Sequence, residues 1–304
     1  MRRHDHSEQP TLPGLGSVPD DRYGFNDRIG SSLGLEGAGP LSVMTGDQLH
    51  PMMVFDEAIW SDGYRWREGA EQHVIQVADL CGLEGGELVL DIGSGLGGPS
   101  RLLSSRRYGV TVIELNKVRQ HLITSRRLWL ELNEAASPTM ILSDAERPLP
   151  VRSCSVDVVW SMNMIYHVSH KRDLLTEAYR VLRPGGRLMI DDWMFTHRAT
   201  SEHAGLMKAH FGSGDLIHLD ALFGMLVDSG FALRHFRDVG GVGRTLMPKH
   251  VSDVVHRDFM HYLATYDSEW GRQTGLDFID SILKTTELYA TDVMTYVQLV
   301  ATKT

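Results

Sequence analysis

Residues 88–103 read Leu-Val-Leu-Asp-Ile-Gly-Ser-Gly-Leu-Gly-Gly-Pro-Ser-Arg-Leu-Leu. The first five form a short apolar run, the mark of a strand buried on both faces of a parallel sheet. The chain then passes through four glycines in six residues (Gly93, Gly95, Gly97 and Gly98) and resumes a helical pattern, with Pro99 where a first-turn proline is tolerated. Glycines in such a turn let the backbone bend tightly and leave no Cβ to keep a ligand from the main chain or the helix N-terminus. Strand, glycine turn and helix together describe the nucleotide-binding edge of a doubly wound α/β sheet.

Two ligands compete for this turn. Gly93, Gly95 and Gly98 fit the dinucleotide pattern GxGxxG, whereas Gly93, Gly95 and Gly97 fit GxGxG. Charge separates them. A pyrophosphate is an anion, and Asp91, two residues before Gly93, is unfavourable beside it. A carboxylate there suits a ligand bearing an ammonium and a sulfonium, which describes S-adenosylmethionine. The next strand, Val110-Thr111-Val112-Ile113, ends in Glu114, 21 residues after Gly93. That is the distance at which an acid accepts hydrogen bonds from ribose hydroxyls. Glu114 serves either cofactor, so an NAD-dependent oxidoreductase stays as the alternative.

Outward from this unit the alternation continues. Trp66, Ala70, Val74, Val77 and Cys81 recur at helical spacing before the glycine-loop strand, and Gly82 ends that helix. Val118, Leu122, Trp129 and Leu132 mark a helix after Glu114, and Met140-Ile141-Leu142 a third strand closed by Ser143-Asp144-Ala145. Val156 to Ser161 is a fourth strand, followed by Met-Asn-Met-Ile-Tyr-His at 162–167. Leu174, Leu175, Ala178 and Val181 share one face of a further helix, which Arg183-Pro184-Gly185-Gly186 stops as a turn. Arg187 to Ile190 is a fifth strand, ending in Asp191-Asp192-Trp193. Helical patterns over 197–210 and 219–226, a sixth strand over 231–239 and a seventh over 294–301 complete the pattern. The expected architecture is α/β, with parallel strands and right-handed crossovers.

Composition narrows the class. A formal charge of −9 argues against nucleic acid and anionic membranes as partners. No apolar run approaches ~18 residues, so a membrane span is not expected. Met1-Arg2-Arg3-His4-Asp5-His6 is not followed by an apolar signal core, which points to the cytosol. Cys81 and Cys154 fit a reducing compartment and read as packing residues. Residues 1–40, rich in Gly, Pro, Ser and Asp, read as a flexible leader to one domain over 41–304. Eight histidines fall between His197 and His261, but none pairs at the i, i+4 spacing of a helical metal site, so no metal is expected.

With these residues in view, the chain resembles the class I S-adenosylmethionine-dependent methyltransferases, in particular the small-molecule enzymes acting on quinones, tocopherols, sarcosine or natural products. The resemblance rests on VLDIGSGLGGPSRLL at 89–103, VIELN at 112–116, SDA at 143–145, VDVVWSMNMIYHV at 156–168 and EAYRVLRPGGRLMIDDW at 177–193. It implies a Rossmann-like seven-stranded fold with an antiparallel last strand. A mainly helical lid is expected at about 42–66, 194–230 and 244–292.

It also implies roles for residues. Asp91 would approach the methionine ammonium, Gly93, Gly95 and Gly97 would underlie methionine and ribose, and Glu114 would hold the ribose hydroxyls. Leu115 would pack on the adenine, Asp144 and the Ala145 amide would read its edge, and Ser161 would offer its carbonyl to the amino group. His167, with a pKa suited to neutral-pH proton transfer, is the candidate base. Tyr166, Asp191 and Trp193 stand at the same rim as candidate acceptor-facing residues, and of Asp191 and Asp192 one is expected to be structural. The expected activity is methyl transfer to an oxygen, carbon or nitrogen of a small molecule, with a cofactor-binding scaffold without transfer as a further alternative. Oligomeric state is left open.

Overall fold

The computed structural model describes residues 66–304 except 106–107, 118, 132–137, 212–215, 243, 245–279 and 281–282. The leader over 1–40 and the lid segments at 42–65 and 245–279 lie outside the described residues. In chain order the named elements are α1 (Trp66–Cys81), β1 (Leu88–Ile92), α2 (Gly98–Ser104), β2 (Thr111–Asn116), α3 (Arg119–Glu131) and β3 (Thr139–Leu142). There follow β4 (Val156–Met162), a 3-10 turn (Ile165–His167), α4 (Lys171–Val181) and β5 (Leu182–Phe195). The last are α5 (Ser201–Phe211), α6 (Leu219–Asp228), β6 (Phe231–Asp238) and β7 (Met294–Lys303).

The seven strands form one sheet in the order β3-β2-β1-β4-β5-β7-β6. Pairing is parallel from β3 to β5, and β7 enters antiparallel between β5 and β6. The chain leaves β1 toward one edge and returns at β4 to run toward the other. The β1–β4 boundary is therefore the topological switch point, where ligands bind at the strands' C-terminal ends.

Period-two alternation sends successive side chains to opposite faces. Val89, Val112, Val158, Trp160 and Met189 pack with Val74, Val77 and Cys81 of α1 and Leu103 of α2. Leu90, Ile92, Val159, Leu188 and Ile190 pack on the other face with Leu174, Leu175 and Val181 of α4 and Leu222 and Leu226 of α6. A third cluster caps the far ends of β5 and β7: Tyr166, Trp193, Phe195, Met207, Tyr289 and Tyr296.

Two expectations need correction. Arg183-Pro184-Gly185-Gly186 is an irregular opening of β5 rather than a turn outside the sheet. Leu182 pairs with Val156 and Arg187 with Val158, so the extra residues bulge out of the ladder. Cys81 is buried and its thiol is pushed up to about 12 by burial, as a packing residue should be. Cys154 is exposed, in a left-handed turn at φ 51°, with its sulfur 3.7 Å from Lys303 Nζ instead of in the core.

The sheet's middle and edge respond differently to truncation. Leu299 on β7 is fully buried, whereas Leu233 on edge strand β6 is half-exposed. Leu299→Ala is expected to lower the free energy of urea unfolding by about 2–5 kcal/mol, and Leu233→Ala by no more than about 0.5 kcal/mol. Equal losses for the two variants would contradict the burial described.

Candidate active site

Carboxylates gather where the parallel strands end. Asp91 on β1 lies opposite Glu114 on β2, and Asp191 on β5 opposite Met162 on β4. By alternation Asp91, Glu114 and Asp191 face the α1–α3 side, while Asp192 faces the other. All four are buried, so each needs donors or must give up its charge.

The four acids are satisfied differently. Asp91 accepts from Ser100 Oγ of α2 at 2.5 Å. Burial, reinforced by the neighbouring Glu114 charge, lifts its carboxyl to about 7 against the help of Ser100. Glu114 accepts from Ser125 Oγ at 2.9 and 3.1 Å and from Trp129 Nε1 at 3.0 Å. Burial raises its pKa too, opposed by those donors and by Arg101. Asp192 accepts from the backbone N–H groups of Met164 and Ile165 at 2.9 and 2.6 Å, and burial takes it to about 7. Asp191 has three side-chain donors: Tyr296 Oη at 2.7 Å and His73 Nε2 at 2.8 Å to Oδ2, and Gln298 Nε2 at 3.2 Å to Oδ1.

The glycine turn is built for two purposes. Gly93, Gly95 and Gly97 all have left-handed φ, of 75°, 55° and 74°. A Cβ at Gly93 would collide with the Met164 side chain, and one at Gly97 with Ser125 and Glu114. Those two glycines are required by the protein itself. A Cβ at Gly95 would meet nothing within 4 Å, so that glycine keeps backbone open to a ligand. Around the same switch point Ser94 Oγ, Ser161 Oγ and Asn163 Nδ2 are buried with no hydrogen-bond partner among the described residues. Open backbone, buried acids and unpaired polar atoms fit a cationic ligand rich in hydrogen-bonding groups.

Other expected residues fall where their neighbours decide their work. Leu115 lies in the core rather than over the rim, and its carbonyl accepts from Gly93 N–H at 2.7 Å, bracing the turn. Asp144 Oδ1 accepts from the Glu146 amide at 3.1 Å, beside buried Ala145. Tyr166 is buried, stacks on Trp193 at 4.8 Å, and holds its proton well above the usual range through burial and the nearby Asp192. The half-buried His167 ring lies 3.8 Å from that of Tyr166. The structure therefore brings His167, Tyr166, Trp193 and Asp192 together at one end of β4 and β5. Among the described residues no group of three His, Cys, Asp or Glu side chains is placed to hold a metal ion, and no helix is long and apolar enough to cross a membrane. His250, His256 and His261 lie outside the described residues.

Sequence reasoning missed His73, Ser125, Trp129, Asn163, Tyr296 and Gln298. Only Ser125 and Trp129 carried a local signal, their i, i+4 spacing on one helix face.

Comparison with known proteins agrees with this geometry. Residues 90–190 match the model of a methyltransferase domain. These residues form a methyltransferase domain. The fold around it is that of methyltransferases of known structure. The domain is 30% identical over 156 residues to 24-methylenesterol C-methyltransferase 2 of Oryza sativa subsp. japonica, covering 49% of this chain and 41% of that one. It is 28% identical over 156 residues to 27-O-demethylrifamycin SV methyltransferase of Amycolatopsis mediterranei, covering 51% and 54%. The chain thus spans about half the length of these curated relatives. Its fold superposes on geranyl diphosphate C-methyltransferase from Streptomyces coelicolor A3(2), a structure that contains S-adenosyl-L-homocysteine. That match has a TM-score of 0.69 at 16% identity and covers 94% of this chain and all of the other.

Because the folded-state pKa of Asp91 lies above its ordinary value, the native methyltransferase domain binds more protons than the unfolded chain between about pH 4 and 7. The Asp91 contribution to stability therefore falls as pH rises through that window. Asp91→Asn is expected to match wild type near pH 4 and to exceed it at pH 8, in thermal unfolding without ligand. Parallel pH profiles for the two proteins would show that Asp91 is not the buried acid described.

Proposed function

We propose that the domain transfers the methyl group of S-adenosylmethionine to a small-molecule acceptor. The observation that carries this reading is the paired carboxylates, Asp91 and Glu114, beside a glycine turn left open at Gly95, all at the switch point. The bound cofactor supplies an electrophilic methyl carbon on a positively charged sulfur. In this reading Asp91 faces the ammonium and Glu114 the ribose hydroxyls, while Asp144 and the Ala145 amide meet the adenine edge. The Ser161 carbonyl meets the amino group.

In-line displacement needs little covalent help, so the protein's work is to align acceptor and methyl group and exclude water. The Tyr166–Trp193 stack and the aromatic cluster around it supply an apolar wall over the ends of β4 and β5. His167, at that wall, takes the proton of a hydroxyl or amine nucleophile as it reacts. Of the expected lid, α5 (Ser201–Phe211), whose Met207 joins that aromatic cluster, is assigned to cover the acceptor, whereas α6 packs Leu222 and Leu226 into the core beneath the sheet and is no part of a lid. The sterol, rifamycin and geranyl diphosphate relatives support a small organic acceptor, and a biosynthetic role on such a molecule follows. The acidic chain argues against a nucleic-acid acceptor, and residence in the cytosol fits its two unpaired cysteines.

An oxidoreductase reading is set aside on topology. A dinucleotide-binding sheet continues in parallel past its fifth strand, whereas here β7 enters antiparallel beside β5.

Isothermal calorimetry is expected to give a dissociation constant for S-adenosylhomocysteine on the order of micromolar, weakened about tenfold in Glu114→Gln by loss of a charge-assisted contact. Affinity for S-adenosylmethionine is expected to rise as pH increases from 6 to 7.5, because Asp91 ionises with a pKa of about 7. A folded native protein that takes up neither compound overturns the proposal.

A further inference from the structure

Asp191 sits at the centre of a chain of buried hydrogen bonds that methyl transfer as described above leaves unused. His73 comes from the middle of α1, Tyr296 and Gln298 from β7, and Asn163 from the residue after β4. His73 and Asp191 are 1% and 0% exposed, and Tyr296 is fully buried. With Asp191 as a carboxylate, His73 Nε2 carries the proton and donates it at 2.8 Å.

The Tyr296 hydroxyl has one proton and three oxygens within reach: Asp191 Oδ2 at 2.7 Å, the Asp191 carbonyl at 3.1 Å and Asn163 Oδ1 at 3.1 Å. The nearest is also the charged one, so the proton goes to Asp191 Oδ2. Tyr296 then faces Asn163 with a lone pair, and the amide end next to it must be a donor. A half-turn of the amide exchanges its two ends and satisfies this at once. Asn163 Nδ2 then donates to Tyr296 Oη, and the amide end left buried without a described partner is an oxygen, an acceptor. That end points away from Tyr296, on the loop that leaves β4 at the switch point. The backbone there is fixed as well: Asn163 has φ 47°, and its N–H donates to the Asp191 carbonyl at 2.9 Å.

We propose that Tyr296, Asp191 and His73 hold the Asn163 amide with its carbonyl oxygen toward the methyl-transfer position, where it accepts a hydrogen bond from one N–H of an amine nucleophile and leaves the other proton to His167. The proposal rests on the methyl-transfer reading and narrows it to nitrogen acceptors. Asn163 touches the substrate. Tyr296, Asp191 and His73 are positioning residues that act through it.

Sinefungin tests this without knowledge of the acceptor. Its amine stands where the cofactor carries its methyl group and presents N–H donors there, whereas S-adenosylhomocysteine has no group at that place. Calorimetry on the full chain is expected to show sinefungin bound more tightly than S-adenosylhomocysteine. Asn163→Gly, which the left-handed backbone accepts, is expected to weaken sinefungin about tenfold or more while S-adenosylhomocysteine stays within about twofold. Asn163→Asp retains an acceptor oxygen and the preference for sinefungin. Tyr296→Phe releases the amide and erodes the preference without moving S-adenosylhomocysteine, whereas a purely structural loss would weaken both ligands together. The assignment is overturned if Asn163→Gly affects both ligands equally or neither. Failure of the native protein to bind either ligand overturns the methyl-transfer reading itself, whereas S-adenosylhomocysteine bound with an unmoved ratio removes only the role of Asn163.

Discussion

The desolvation of carboxylates at the ends of the parallel strands is the constraint from which the rest of the site follows. Moving an ionised acid out of water costs several kcal/mol unless donors or a counter-charge replace the lost hydration. Four such acids are gathered on three strands, and each is met differently: a helix hydroxyl for Asp91, a serine and a tryptophan for Glu114, backbone amides for Asp192, and three side chains for Asp191. The protein holds Asp91 near the point of protonation and surrounds Asp191 with donors. The first is suited to respond to an arriving cation, and the second to act as a fixed anchor.

This division shows in how much of the molecule a reader of the sequence can reconstruct. The strand–glycine–helix unit, the strand after it and the antiparallel final strand are all legible, because apolar runs, glycine spacing and β-branched content are local properties. Asp91 and Glu114 are legible for the same reason, since a strand end is a place the sequence marks. The partners that decide their chemistry are not. His73 lies 118 residues from Asp191 and Tyr296 lies 133 from Asn163. His73 falls outside the apolar pattern of its helix, and Tyr296 reads only as one residue of the last strand.

One misreading is tertiary in origin. Arg183-Pro184-Gly185-Gly186 has the composition of a turn, yet sheet pairing on either side absorbs it as a bulge. There tertiary pairing overrode a correct local signal. Cys154 failed for the opposite reason. A lone cysteine is usually buried, and nothing nearby in sequence announces the left-handed turn that exposes it.

The placement of β7 has a consequence for how the molecule assembles. It follows β6 by about fifty-five residues in sequence, yet it lies between β5 and β6 in space. During synthesis the ribosome releases β5 long before the strand that must line its open side. Until that strand arrives, Asp191 lacks two of its three side-chain donors and β6 has no neighbour to zip against. The nascent chain therefore waits half-built, and long-range closure rather than local helix formation sets its folding rate.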